Sequence, residues 1–281
     1  ATVSQWGGGD EVPIYERLFL GGSNNLRGFP FREVGPQDEN GEPVAPKASR
    51  QSTVYLSPQL ATTGGFGNLI VENAEGNIIV PESTTLTLQA GSSLSLTGAN
   101  VSVLGSIIAP SSSLTFKALN ISPYQAALLA SDAAVPAANE GKGVFTLGAN
   151  AILDTRGLVI DDRAASPTAN GLPAKPDGGK VSIAGYDVDL QTGSSIDVSG
   201  GYIMKSTGKG QYGNAGSISI KAGQDPTVSA VLGGSLNLGA ALRGYSGATA
   251  GTLSVQAQHV VIGEGSAAAG TLVLAPDFFN Q

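Results

Sequence analysis

The sequence predicts an all-β chain wound as a right-handed parallel β-solenoid (a β-helix), with one short inserted helix and an extended N-terminal segment. Three observations carry this. Apolar residues recur at n, n+2, n+7 and n+9: Leu94, Leu96, Val101 and Val103; Val181, Ile183, Val188 and Leu190; Leu253, Val255, Val260 and Ile262. The stretches Gly216 to Ile220 and Gly234 to Leu238 repeat the first half of the unit. Within each run small polar residues alternate with the apolar ones, the period-two pattern of a strand with one buried face. Between Gly91 and Ala118 no apolar run is long enough for a helix. A unit that buries only a thin apolar stripe is stable when stacked on its neighbours, so the repeat sets the fold.

Two regions are expected: an extended segment at 1–56 and the solenoid at 57–281. Residues 1–56 hold Trp6, seven acidic residues and a Pro/Gly-rich tail. From Thr62 the character changes. Strands are expected at Leu69 to Val71, Asn77 to Val80 and Leu86 to Leu88, then at Leu94 to Leu96, Val101 to Val103, Ile107–Ile108 and Leu114 to Phe116. One interruption reads as a helix, with Ser122 as N-cap, Pro123 at the first helical position, helix formers from Tyr124 to Ser131, and Pro136 ending it. Strands resume at Val144 to Leu147, Ile152–Leu153 and Leu158 to Ile160. Residues 161–178, which hold Asp, Ala, Pro, Asn and Gly, and residues 200–215, with Gly208, Gly210 and Gly213, read as insertion loops. At ~20–25 residues per coil, residues from about 66 to 275 should hold roughly eight to ten coils.

Composition narrows the function. The 281 residues carry 40 Gly, no Cys and only 13% charged side chains. Mean hydropathy is +0.09, so Ser, Thr, Asn and Gly supply the polar balance. Net charge is −7 and the basic residues are scattered, which argues against nucleic-acid binding. No stretch of 18 or more apolar residues occurs, so no transmembrane helix is expected. The chain opens on Ala1 without a leader pattern and reads as an internal or processed segment. The absence of Cys agrees with an exported protein that does not rely on disulfides.

The segment from Glu16 to Phe29, followed by Gly35-Pro36, Asp38, Gly41 and Pro43, resembles the surface-antigen barrel signature of the Omp85 family. In that family an Arg-Gly pair lies at the tip of a loop folded into the barrel. The matching residues are Leu26, Arg27, Gly28 and Phe29. Gly28 permits a turn beside the Arg, and an Arg in a polar lumen needs carboxylate partners. The resemblance at residues 16–43 supplies two or three strands, whereas a closed barrel needs at least eight. It implies an outer-membrane barrel component for assembly or secretion, or an outer-membrane transporter as partner.

Residues 64–281 resemble the exoproteins of the filamentous haemagglutinin family, which leave the cell by two-partner secretion. The motifs that carry this are Gly91 to Leu96, Val101 to Pro110, Ile196 to Gly201, Gly251 to Gly263 and the terminal Pro276 to Gln281. The resemblance implies a secreted or cell-surface location, a β-helical shaft and adhesion. Its partners would be an outer-membrane transporter and a glycan or protein on a host or neighbouring cell.

Candidate chemistry is sparse. Asp187 and Asp189 share one strand face, opposite Val188 and Leu190. Asp197 is a third carboxylate for that surface. Together they are weak candidates for a cation or a polysaccharide-cleaving site, since a hard cation asks for six or more oxygens. A solvated outer face explains them as well. His259, the single histidine, should face outward and lacks companions for a metal site. Asp161, Asp162 and Asp177 flank a flexible insertion. Tyr186, Tyr202, Tyr212 and Tyr245 sit near loops and could stack on glycans. No phosphate-binding or nucleophile-elbow motif stands in a strand–turn–helix context. The expectation is a non-enzymatic adhesin or structural shaft without cofactor. Two alternatives remain, the Omp85-type barrel component and a polysaccharide-binding or -cleaving β-helix protein.

Overall fold

The computed structural model describes residues 54, 56–62, 64–129, 134–166, 173–263 and 271–276. The chain divides between Leu56 and Ser57, and the unit described here is the second. Leu26, Arg27, Gly28 and Phe29 lie outside the described residues.

After a single helical turn, α1 (Gln59–Thr62), the chain makes repeated passages through the same sheets. The first passage is β1 (Asn68–Val80) and β2 (Thr85–Thr87). The second is β3 (Ser93–Val103) and β4 (Ser106–Ile108). The third is β5 (Ser113–Ala118), the helix α2 (Pro123–Ala127), β6 (Val144–Leu147), β7 (Ile152–Asp154) and β8 (Val159–Asp161). The fourth is β9 (Lys180–Gly185), β10 (Asp187–Leu190), β11 (Ser195–Asp197) and β12 (Tyr202–Met204), followed by β13 (Gly210–Tyr212). The fifth is β14 (Ser217–Lys221), β15 (Leu236–Leu238) and β16 (Ala241–Arg243). The last begins with β17 (Thr252–Gln256) and β18 (His259–Ile262), and β18 pairs with β19 (Thr271–Leu274).

The result is mostly β, built from parallel, curled sheets. A first ladder runs β1–β3–β5–β9–β14–β17. A second joins the later halves of β1 and β3 to β6, β10 and β15. A third runs β2–β4–β7–β11–β16. The two long strands each serve two ladders. Where two short strands were expected on either side of Gly98, β3 is continuous from Ser93 to Val103, and the irregularity falls in its partner between Asn73 and Asn77. The β12–β13 pair is antiparallel, so residues 200–215 hold a hairpin rather than loop alone.

Register explains the core. Leu69, Leu94, Leu114, Val181, Ile218 and Leu253 are successive partners in the first ladder, as are Val71, Leu96, Phe116, Ile183, Ile220 and Val255. In the middle strands these side chains are fully buried, each worth about 1.5–3 kcal/mol over an exposed one. Phe116 of the first ladder meets Phe145 of the second with ring centroids 5.3 Å apart, inside the curl. Their neighbours Ser182 and Ser219 are half-buried rather than solvated, because strands lie on both sides of them. At the end of the ladder the expected dry core fails. Leu253 is 40% exposed and Val255 only partly buried, since β17 has a strand on one side only among the described residues. Val260 and Ile262 are exposed for the same reason. Among the described residues the first ladder holds six strands rather than the eight to ten coils expected, because long insertions occupy residues that further passages would need.

The insertions fall at two places. Residues between β5 and β6, and between β14 and β15, lengthen the step from the first ladder to the second. Residues between β8 and β9, and between β12 and β14, lengthen the return to the first ladder. The helix α2 sits in the first of these. Ser122 caps it, accepting from the Gln125 amide, while the Gln125 side chain accepts from the Ser122 amide. It is shorter than the sequence pattern proposed, ending at Ala127.

Candidate functional site

At the step to the second ladder, the two insertions are tied together. Asp225 is fully buried. Its Oδ2 accepts from the amides of Asn120 at 2.7 Å and Ile121 at 3.0 Å. Its Oδ1 accepts from Thr227 at 2.8 Å and Val228 at 2.6 Å. Asn120, also buried, donates its side-chain amide to the carbonyls of Asn139 and Lys142 and accepts from the Asn139 amide. Every strong acceptor here faces protein donors, so this junction is structural.

The other pair of insertions leaves a cleft of about 560 Å³. Its floor includes the buried Ile203 of β12. Its walls carry Asp162, Asp177, Lys205, Gln211, Tyr212 and Asn214, all exposed. Glycines let the loop at Pro176 enter this space. A Cβ on Gly157 would lie 1.7 Å from the Pro176 carbonyl oxygen, and one on Gly213 would lie 1.9 Å from it. The loop is pinned by the Gly201 amide donating to Pro176 at 2.6 Å and by Gly178 donating to the Asn214 carbonyl at 2.8 Å. Asp177 Oδ1 accepts from the Asn214 amide at 2.7 Å, which orients the carboxylate. The ring of Tyr212 tilts against that of Tyr202, with centroids 5.0 Å apart, and stays 58% exposed. Tyr212 also lies against Gly247, where a Cβ would meet the ring at 2.5 Å.

The carboxylates singled out in the sequence do not form one site. Asp187 and Asp189 lie on β10 in the second ladder and are bound to β15. Asp187 Oδ1 accepts from the Ser235 amide and hydroxyl, and Asp189 accepts from the side-chain amides of Asn237 and Gln191. Asp197 stands on β11 in the third ladder, opposite Asp154 and Arg243. Its neighbour is Arg156, at 3.9 Å, and its Oδ1 accepts from the Ser199 amide. Arg156 is bidentate to Asp154, with its shortest contact at 2.5 Å. Burial pushes the Asp154 carboxyl up, but hydrogen bonds from the Arg156 guanidinium and amide outweigh it and hold the group below its ordinary value. Among the described residues no group of three or more His, Cys, Asp or Glu is placed to hold a metal ion. His259 is exposed on β18. Of the four tyrosines, Tyr212 and Tyr245 are exposed, whereas the Tyr186 hydroxyl donates to the Leu232 carbonyl and Tyr202 is covered by its pair.

Residues 1–71 match the model of the Omp85 superfamily domain. The match is wider than the 16–43 stretch that carries the sequence resemblance, and it runs into the start of β1. Comparison with curated proteins and with solved structures returned no match. Neither these results nor the domain match bears on the filamentous haemagglutinin resemblance. No helix among the described residues is long and apolar enough to cross a membrane.

Proposed function

We propose that residues 57–281 form a right-handed β-solenoid shaft of an exported, cell-surface exoprotein of filamentous haemagglutinin type, and that this shaft acts by adhesion rather than catalysis. The observation that carries the reading is the order of the passages. In its first five passages the chain visits the first, second and third ladders in the same sequence, with apolar side chains in register. Such a scaffold gains length by repetition and holds insertions at its corners, the arrangement a shaft uses to present binding loops. The carboxylates Asp187, Asp189 and Asp197 serve the scaffold in this reading: two brace neighbouring strands and the third backs an Arg. The ligand is a glycan or protein on a host or neighbouring cell.

The test has two parts. Antibody against residues 57–281 should label intact cells of the source, and an exclusively internal pool would refute export. Purified protein should release no product from acidic polysaccharide with divalent metal present. Turnover that disappears in Asp187→Asn/Asp189→Asn would replace the adhesin reading with an enzymatic one.

A second reading has its own observation, the match of residues 1–71 to the Omp85 domain. It assigns the N-terminal part an outer-membrane or secretion-related role, as part of a barrel or as a segment working with one. Fractionation of a tagged chain tests it: recovery with the outer membrane, lost on removal of residues 1–56, is the expected result.

A further inference from the structure

We infer that the cleft between the β12–β13 hairpin and the Pro176 loop binds a non-acidic oligosaccharide, neutral or amino-sugar in character. This deepens the adhesive reading above and rests on it. The two pairs of insertions make the contrast. Where the chain steps to the second ladder, Asp225 and Asn120 close the junction with buried hydrogen bonds. Where it returns to the first ladder, the same kind of pairing stays open and exposes polar side chains around an aromatic ring.

The chemistry of the walls selects the ligand. A pyranose presents an apolar C–H face and a rim of hydroxyls that both donate and accept. Tyr212 offers a large ring at low conformational cost. Gln211 and Asn214 carry amides that both donate and accept, matching a hydroxyl rim. Asp177 accepts from such hydroxyls and is held in place by the Asn214 amide. The buried Ile203 supplies an apolar floor. A cavity of about 560 Å³ is within the range of small-ligand sites. Among the described residues the lining charges are Asp162, Asp177 and Lys205, two carboxylates against one ammonium. That balance repels uronic or sialic acids and favours neutral or protonated amino sugars.

The experiment is titration calorimetry on the full chain with three probes: cellotriose, chitotriose and trigalacturonate. Expected is binding of the first two, chitotriose the tighter, and trigalacturonate the weakest. Tyr212→Ala should weaken binding at least tenfold, and Tyr212→Phe should keep it within about threefold. Because Tyr212 packs on Gly247 and Tyr202, the exposed Gln211→Ala is the second variant, with a several-fold loss expected. No binding of cellotriose or chitotriose at millimolar concentration overturns the inference. So does trigalacturonate binding tightest, or affinity unchanged in both Tyr212→Ala and Gln211→Ala. Beads coated with the chain separate this from the broader reading. If wild type and Tyr212→Ala beads adhere equally to cells, the cleft is refuted and adhesion stands. If neither adheres, adhesion falls as well.

Discussion

Replacing Asp225 by Asn changes one atom's chemistry in a buried site, and the outcome can be worked from the contacts. Each carboxylate oxygen accepts two backbone amides: Asn120 and Ile121 on one, Thr227 and Val228 on the other. The carboxamide keeps one acceptor and turns the other into a donor. Whichever way it flips, two amide N–H groups lose their acceptor and face an N–H₂ group. A buried donor left unsatisfied costs about 1–3 kcal/mol, so the pair costs roughly 2–6 kcal/mol. The loss should be local. The bonds join the helix-bearing insertion to the loop after β14, and strands in such a stack contact mainly their neighbours. Urea denaturation followed by circular dichroism should show the destabilisation. Limited proteolysis should show new cleavage between Leu119 and Lys142 before any within β9 or β10. A change below about 0.5 kcal/mol with no new cleavage would mean that Asp225 does not hold the two insertions together.

Three further outcomes are expected. Ile218→Asp should open the chain to protease near Gly216, because burying an unpaired charge costs several kcal/mol, whereas the half-buried Ser219→Asp should be milder; equal sensitivity would mean a register shifted by one residue. Arg156→Ala should destabilise the third ladder most at neutral pH. The Asp154 carboxyl lies below its ordinary value in the fold, so its pairing stabilises above about pH 4 and is lost as pH falls through the lowered value; the gap between the wild-type and variant denaturation midpoints should be widest at neutral pH and narrow as pH falls below about 4, and a difference independent of pH would remove the ion pair from the account. Gly213→Ala should displace the Pro176 loop and weaken trisaccharide binding more than it lowers stability, since the added Cβ would overlap the Pro176 carbonyl; unchanged binding in a folded variant would detach the loop from the cleft.

What the sequence disclosed is what local pattern determines. The alternation at Leu94/Leu96, Val181/Ile183 and Ile218/Ile220 gave both strand and buried face, because a period of two has one inward solution. The Ser122-Pro123 start of α2 was visible because capping is settled within four residues, Ser122 to Gln125. The exposure of Leu253 was not visible. Its sequence is that of an inner strand, and only the neighbours above and below decide whether it is covered. The Asp225 junction was hidden for another reason. Its turn, Asp followed by Pro and Thr, has a local signal, but the other half of its bonding lies 105 residues earlier at Asn120. The cleft was half legible. Tyr212, Asp162 and Asp177 could be noted singly, and both insertions could be recognised, yet nothing in their composition says that they leave the stack at the same step.

That shared exit follows from the parallel ladders. In a register where the fourth passage lies on the third, any insertion after β8 must emerge beside one after β12, whatever its length. The same holds for insertions after β5 and β14, which meet across the intervening β9. The ladders therefore act as a ruler that converts distant loop sequences into neighbours. Evolution of such a scaffold can vary one loop without moving the strands, because the core residues face inward and the insertions begin where strands end. At one step the pairing ends in a carboxylate with four amide donors and no surface left to offer. At the other it ends in Tyr212, Gln211 and Asn214 around open space. If the scaffold alone required both junctions, the second would be expected to close in the same way as the first. Its exposed, hydrogen-bonding walls are solvated in the free chain, the state that the proposed oligosaccharide site requires before it binds.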